Sequence, residues 1–133
     1  MSDITTRMQL PESSLERIER DGDDITLQFS KVFLVQEMEG AFEDSLWTQA
    51  VNITLVNCEI DGEPPPCPCE LAGGDFMDNI YTYRNHVTLP INWRGDVGCR
   101  LNVAGSGQRC EIRCDDIRSE QLGHPAYLKH ISK

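Results

Sequence analysis

The segment Cys99–Cys114, CRLNVAGSGQRCEIRC, contains two alternating stretches joined by a glycine-rich turn. Every second residue on either side of the turn is apolar, namely Cys99, Leu101, Val103, Cys110, Ile112 and Cys114. Such alternation is typical of a strand with one buried face. Gly105 and Gly107 tolerate the positive φ that a short hairpin connection requires. The segment therefore predicts a β-hairpin whose three cysteines face a hydrophobic core.

The three cysteines of this hairpin fit a core better than a metal site. Free cysteine is among the most buried residue types and packs as a small hydrophobic side chain. Cys110 and Cys114 are four residues apart, which is about 13 Å along an extended strand at ~3.3 Å per residue. One zinc ion with Zn–S bonds of ~2.3 Å cannot bind both unless the strand is broken between them. We therefore predict that Cys99, Cys110 and Cys114 are core thiols.

Strand signals recur through the rest of the chain at intervals of roughly 8–14 residues, with Gly, Pro, Asp or Asn between them. They lie at residues 25–30, 31–37, 47–60, 80–83 and 86–91. No long segment has the ~3.6-residue period of an amphipathic helix, and no internal repeat is visible. The pattern predicts an all-β fold, a single-domain antiparallel β-sandwich or barrel of about 7–9 strands spanning residues 1–133.

Local signals predict how some of these strands are connected. Asp21-Gly22-Asp23 indicates a tight turn, and Arg84-Asn85 indicates the turn of a second hairpin. The apolar phase slips by one residue between Leu55 and Val56, which indicates a β-bulge or a bend in a long strand. Residues 14–20 fit either one helical turn or an imperfect strand.

Three segments are predicted to lie outside the regular strands. Residues 1–13 are expected to form a loose N-terminal lead-in. Pro125 suits the first turn of a helix, so a short C-terminal helical turn is expected over residues 126–131. Residues 61–79, DGEPPPCPCELAGGDFMDN, contain four prolines and a Gly-Gly pair, which exclude a central strand and predict an irregular loop rich in Pro, Gly and Cys.

This loop contains Cys67 and Cys69, the best candidates in the chain for metal chemistry. Two thiolates in a Cys-X-Cys sequence can bind one zinc ion, but a closed zinc site requires four ligands. The remaining ligands would have to come from Cys58, Cys99, His86, His124 or His130, whose spacing matches no known zinc motif. The alternatives are inert loop thiols and a redox pair, although the usual redox motif has two residues between the cysteines.

The charge of the protein is strongly uneven. The formal net charge is −10, and residues 1–66 carry all of it, with four Lys or Arg against fourteen Asp or Glu. Nucleic acids and anionic membrane surfaces attract basic patches, so neither is expected as a partner. The acidic segments Asp21–Asp24 and Glu37–Asp44 are instead candidates for attracting a basic protein partner.

The sequence does not identify an activity. It contains no nucleophile elbow, P-loop, His-Glu-X-X-His or dinucleotide fingerprint, which favours a protein that is not an enzyme. The N-terminal residues have no apolar stretch typical of a signal peptide, so we expect a cytoplasmic protein with reduced thiols. We therefore predict a non-enzymatic acidic β-domain that acts in protein–protein interaction or self-association as a homodimer.

Two alternative functions remain open from the sequence. The first is a zinc-binding module that uses Cys67 and Cys69; apart from this zinc, no cofactor is expected. The second is a β-barrel that holds a small ligand, with aromatic and imidazole side chains near its mouth. The residues proposed for that mouth are Tyr81, Tyr83, His86 and Trp93.

Overall fold

The computed structural model describes residues 4–132, which form nine strands, and no helix is present within that range. The strands are β1 (Ile4–Asp21), β2 (Asp24–Met38), β3 (Glu43–Val56), β4 (Glu59–Asp61), β5 (Cys69–Asp78), β6 (Tyr81–Arg84), β7 (His86–Leu89), β8 (Asn92–Val103) and β9 (Arg109–Ser132). All pairings between them are antiparallel. The predicted all-β fold is confirmed.

Six strands form a closed ring in the order β1-β2-β3-β9-β8-β5. The ring closes where β5 returns to β1, through the pairs Ser14↔Glu70 and Leu15↔Cys69. This closure resembles that of a small barrel, in which every strand has a partner on each side. The short strand β4 pairs with β9 beyond the end of β3.

Away from this closure, β1 and β5 separate, and two short strands occupy the seam between them. β6 pairs with β5, whereas β7 pairs with β1. Asn85 joins the two short strands at a φ of 62°, a conformation that asparagine tolerates. Its backbone N–H donates to Gly74 (2.7 Å), and its carbonyl accepts from Leu10 (2.8 Å). The predicted hairpin about Arg84-Asn85 is therefore wrong, because each strand pairs with a different wall of the seam.

The interior of the ring is filled by alternating apolar side chains. The largest fully buried ones include Phe29, Phe76, Met8, Leu27 and Ile53. The hairpin predicted from the segment at 99–114 is confirmed, since β8 pairs with β9 through Cys99↔Ile112 and Leu101↔Cys110. Cys99, Cys110 and Cys114 are buried, as their alternation predicted, and Cys58 is buried as well. The turn predicted at Asp21-Gly22-Asp23 is also confirmed, and residues 14–20 are strand.

The predicted loose lead-in is wrong for residues 4–13, while residues 1–3 lie outside the described range. β1 begins at Ile4, and both Met8 and Leu10 are fully buried. Pro11 does not end the strand, because the ladder with β2 is interrupted there: the register shifts between Gln9 and Ser14. A proline costs no ladder hydrogen bond at such an irregularity.

Of the segment 61–79, only residues 62–68 are irregular, so the predicted loop is too long. β5 starts at Cys69 and passes through Gly73 and Gly74 to pair with β8. A Cβ atom at Gly74 would collide with the carbonyl oxygen of Arg100 on β8. Gly74 thus permits a close approach of the β5 and β8 backbones, which is one reason for a glycine in the interior of a strand.

The predicted C-terminal helical turn is also wrong, because β9 continues as a strand to Ser132 and pairs with β3 as far as Glu43↔Ser132. Register shifts in this ladder accommodate Pro125 and Leu128. The predicted slip after Leu55 corresponds to the end of β3 at Val56, which is followed by Asn57 at a φ of 58°. No helix within residues 4–132 has the length and hydropathy needed to cross a membrane.

Candidate functional site

The C-terminal part of β9 has one unpaired edge. β9 pairs with β8 only as far as Asn92↔Arg118, and within residues 4–132 no strand pairs with that edge from Glu120 to Ser132. On its other side β9 follows β3, which in turn pairs with β2 and β1. We call this four-stranded extension the ribbon; it comprises residues 4–9, 32–38, 43–50 and 120–132.

A buried amide group holds the ribbon where it leaves the ring. Gln49 is buried, and its Nε2 donates to the carbonyl oxygen of Gly123 (2.9 Å). Its Oε1 accepts from the side-chain amide of Gln121 (2.9 Å). These bonds span the irregular part of the β3–β9 ladder, so a side chain replaces the backbone pairing that is lost there.

Most of the exposed large hydrophobic side chains belong to the ribbon or to the turn at its tip. Six of the eight such residues lie there: Ile4, Met38, Phe42, Leu122, Tyr127 and Leu128. Phe42 in the tip turn is 95% exposed, and Tyr127 on β9 is 48% exposed. Isolated apolar residues are common on protein surfaces, whereas contiguous apolar patches are more typical of interaction sites.

An aromatic cluster lies on the face of the ribbon that continues the interior of the ring. Leu34, which is fully buried, pairs with Trp47, and Trp47 pairs with Tyr127. The rings of Trp47 and Tyr127 meet edge to face at 5.3 Å, and His130 lies 5.4 Å from Tyr127. Beyond them is a shallow cavity of about 240 Å³, lined in part by Ile4, Met38 and His130.

The unpaired edge of β9 differs in charge from the acidic N-terminal half of the chain. Residues 121–132 contain no Asp or Glu and carry Lys129 and two histidines, in a chain with 22 acidic residues. The tip turn between β2 and β3 is acidic, with Glu37, Glu39 and Glu43. An approaching molecule therefore meets a neutral to weakly basic strand beside an acidic turn.

The predicted metal ligands Cys67 and Cys69 lie where the irregular segment 62–68 meets the start of β5. Cys67 is exposed and lies in a groove beside Glu16 and Arg17, and its thiol donates to the carbonyl of Pro65 (3.6 Å). Desolvation, followed by the neighbouring Cys69, raises the pKa of Cys67 to about 11. Desolvation also raises the pKa of Cys69. Both thiols are therefore largely protonated at neutral pH, whereas a metal binds the thiolate.

The structure does not assemble the other zinc ligands considered from the sequence. Cys58 and Cys99 are buried in the core, His86 lies on β7, and the two remaining histidines lie in the ribbon. No group of three or more His, Cys, Asp or Glu that could hold a metal ion occurs within residues 4–132.

Three of the four residues proposed for a ligand mouth do come together. Tyr83 stacks on Trp93 with ring centroids 5.4 Å apart and an interplanar angle of 22°, and Tyr81 lies 4.8 Å from Tyr83. His86 pairs instead with Gln9 of β1 on the other wall of the seam. Trp93 meets the buried Phe76 edge to face, so the stack packs against a filled interior.

Sequence reasoning missed the unpaired edge of β9, because it expected a helical turn there. The signal that could have found it is the absence of acidic residues after Glu120, together with the apolar residues Leu122, Tyr127, Leu128 and Ile131. We found no match to this chain among protein-family models, curated proteins or solved structures. The functional argument therefore depends on the geometry of the chain itself.

Proposed function

We propose that this protein is a non-enzymatic interaction domain that self-associates, with the ribbon of one copy docking on the ribbon of a second copy. The observation that carries this proposal is the unpaired edge of β9 from Glu120 to Ser132, bordered by exposed apolar side chains. An open strand edge presents backbone N–H and C=O groups that another strand can pair with. Symmetric dimers most often join the same patch on both subunits.

The charge distribution favours a second copy at this place. Because residues 121–132 carry no acidic side chain, this strand adds no like-charge contact, and the net charge of −10 opposes association only at longer range. Two-fold pairing of identical strands is antiparallel, so Lys129 of one copy would approach the Glu120 end of the other. Such a contact combines apolar side chains with opposite charges.

Side-chain contacts, rather than backbone pairing, would supply most of the free energy of association. Pro125 has no N–H to donate, and the register shifts near Pro125 and Leu128 interrupt the strand. Bulges and prolines are devices that restrict pairing at an edge. We therefore assign the larger share of the binding free energy to the exposed side chains of Phe42, Tyr127 and Leu128, each of which has apolar area to bury.

Sedimentation velocity at several protein concentrations tests this proposal. We expect a reversible monomer–dimer equilibrium that the double variant Tyr127→Asp/Leu128→Asp shifts toward monomer at least tenfold. The matched control is Ile80→Asp/Tyr81→Asp, which adds the same charge to two still more exposed residues at the β5–β6 turn and should leave the equilibrium unchanged. A monomer at every concentration contradicts the proposal.

Salt distinguishes this interface from one that uses the acidic segments. Added salt screens the repulsion between two copies of charge −10, so the proposed dimer should be as strong or stronger in salt. Docking of a basic partner on Asp21–Asp24 or Glu37–Asp44 should instead weaken with salt. Dimerisation that weakens with salt would count against an interface built mainly from the apolar side chains of the ribbon.

A further inference from the structure

Cys58, in the short connection between β3 and β4, lies across from Cys114 of β9. β9 pairs with β3 and then with β4 in one continuous register, as the pairs Val56↔Asp116 and Glu59↔Arg113 show. The two pairs are three residues apart on each strand, so Cys58 lies across from Cys114. The backbone N–H of Cys58 donates to Asp23 (2.7 Å) and therefore points away from β9. Cys58 follows Asn57, whose φ is 58°, so it occupies an irregular position within this continuous register.

The spacing of opposed residues on antiparallel strands suits a disulfide. Their Cα atoms are roughly 4.5–5.5 Å apart in either kind of pair. Disulfides span Cα separations of roughly 4.4–6.8 Å. Bond formation therefore requires no large movement of β9 relative to the β3–β4 connection.

The two thiols contact each other and lie next to solvent. The side chains of Cys58 and Cys114 interact with each other, and the Cys58 thiol donates to the carbonyl of Leu55 (3.2 Å). Cys58 is 8% exposed and Cys114 is 6% exposed. Cys114 also lines a surface cavity of about 450 Å³, together with Gly95 and Arg113. A molecule of the size of water or hydrogen peroxide can enter such a cavity.

We propose that Cys58 and Cys114 form a redox-reactive pair that a small peroxide converts to an intramolecular disulfide. The sulfur of Cys58 attacks one peroxide oxygen, the O–O bond breaks, and a sulfenic acid forms while the other oxygen leaves as water with the thiol proton. The sulfur of Cys114 then attacks the sulfenic sulfur, the S–S bond forms, and the S–O bond breaks with release of a second water. Two thiols and one hydrogen peroxide thus yield one disulfide and two waters.

The environment assigns the two sulfurs different roles. The hydrogen bond from Cys114 lowers the pKa of Cys58 even though burial opposes this change. The same contact, with burial, raises the pKa of Cys114. The direction of these shifts favours attack by Cys58 and resolution by Cys114.

The other four cysteines lack this combination of features. Cys99 and Cys110 face Ile112 and Leu101 across the β8–β9 ladder, and burial raises the pKa of each thiol. Cys67 and Cys69 are close together, but the pKa of each thiol is also raised. Reaction with peroxide should therefore start at Cys58.

Mass spectrometry of the folded protein after peroxide treatment tests the proposal. Cleavage by trypsin after Lys and Arg separates the relevant cysteines into residues 32–84, 95–100, 110–113 and 114–118. In a Cys67→Ser/Cys69→Ser background, Cys58 is the only cysteine of the first peptide. We expect a protein lighter by two hydrogen atoms, a link between peptides 32–84 and 114–118, and full reversal by dithiothreitol.

Two further variants in that background assign the roles. Cys110→Ala is the matched control, a buried cysteine of the same strand, and should keep the link. Cys114→Ala should lose it and leave a sulfenic acid on Cys58 that a dimedone-type reagent traps. The same mapping on the unmodified chain guards against a variant that fails to fold.

Three outcomes would overturn the proposal. In the first, the protein is folded and Cys58 and Cys114 stay reduced while the peroxide oxidises Cys67 or Cys69. In the second, a disulfide joins Cys58 or Cys114 to Cys99. In the third, the link is found only between two chains.

Discussion

The guanidinium group of Arg100 on β8 lies 2.8 Å from the carboxylate of Glu111, the residue directly opposite on β9. The same guanidinium reaches Asp75 on β5 (3.1 Å), so one side chain connects three neighbouring strands. Glu111, the main cause, and then Asp75 raise the pKa of Arg100. Cross-strand pairs of opposite charge stabilise a sheet, and these three side chains are only partly exposed.

We expect Arg100→Met to lower the free energy of unfolding by about 1 kcal/mol, because two half-buried carboxylates lose their cation. Arg17→Met is the control, since Arg17 pairs with Glu19 on an exposed surface and should change stability by less than about 0.5 kcal/mol. Urea unfolding monitored by circular dichroism measures both. Equal values for the two variants would show that the three-strand contact contributes nothing.

Gly74→Ala should be severely destabilising, by about 3 kcal/mol or more, because the new Cβ meets backbone atoms of Arg100 that cannot rotate away. Ala72→Ser, two residues earlier and exposed, is the control for a change of similar size in the same strand. Thermal unfolding of both variants is the measurement. A Gly74→Ala protein as stable as the parent would mean that β5 and β8 do not approach this closely.

Met8→Ala should cost about 2–5 kcal/mol, since Met8 is fully buried in β1 and its removal leaves a cavity. Thr5→Ala, on the exposed end of the same strand, should have little effect. Urea denaturation distinguishes the two. An unchanged free energy of unfolding in Met8→Ala would instead favour a loose N-terminal lead-in.

Alkylation of Cys67 should be slow at neutral pH and should accelerate up to about pH 11. Desolvation raises the pKa of this thiol to about 11, and only the thiolate reacts. Iodoacetamide labelling followed by fragmentation of the peptide 32–84 gives the rate for Cys67 at each pH, with Cys69 retained because it contributes to the raised pKa. A rate that levels off below pH 9 would contradict the proposed environment.

Zinc binding by Cys67 and Cys69 remains a separate prediction. The raised pKa values predict weak binding, and binding should release protons. Metal analysis of protein purified without chelators measures it, with Cys67→Ser/Cys69→Ser as the control. Stoichiometric zinc that this variant loses would show that a further ligand completes the site.

The local alternation of apolar residues was enough to predict the all-β fold and the facing of the core cysteines. In β8 and β9 each apolar residue falls two positions from the next, and the strand period of two places them on one side. The turn at Gly22 was predictable for a similar reason, because the positive φ there is a property of one residue. These features depend on neighbours in the chain alone.

The tertiary structure decided which strands pair and where each one ends. From the local sequence, Pro11 and Pro125 are expected to end a regular element. β1 and β9 nevertheless continue past them, because a register shift at each proline removes the need for its N–H group. The opposition of Cys58 and Cys114 follows from the register between segments more than 50 residues apart in sequence. The unpaired edge of β9 likewise exists only because β8 ends its pairing at Arg118. Long-range register depends on the closure of the whole ring, and no single segment of sequence carries it.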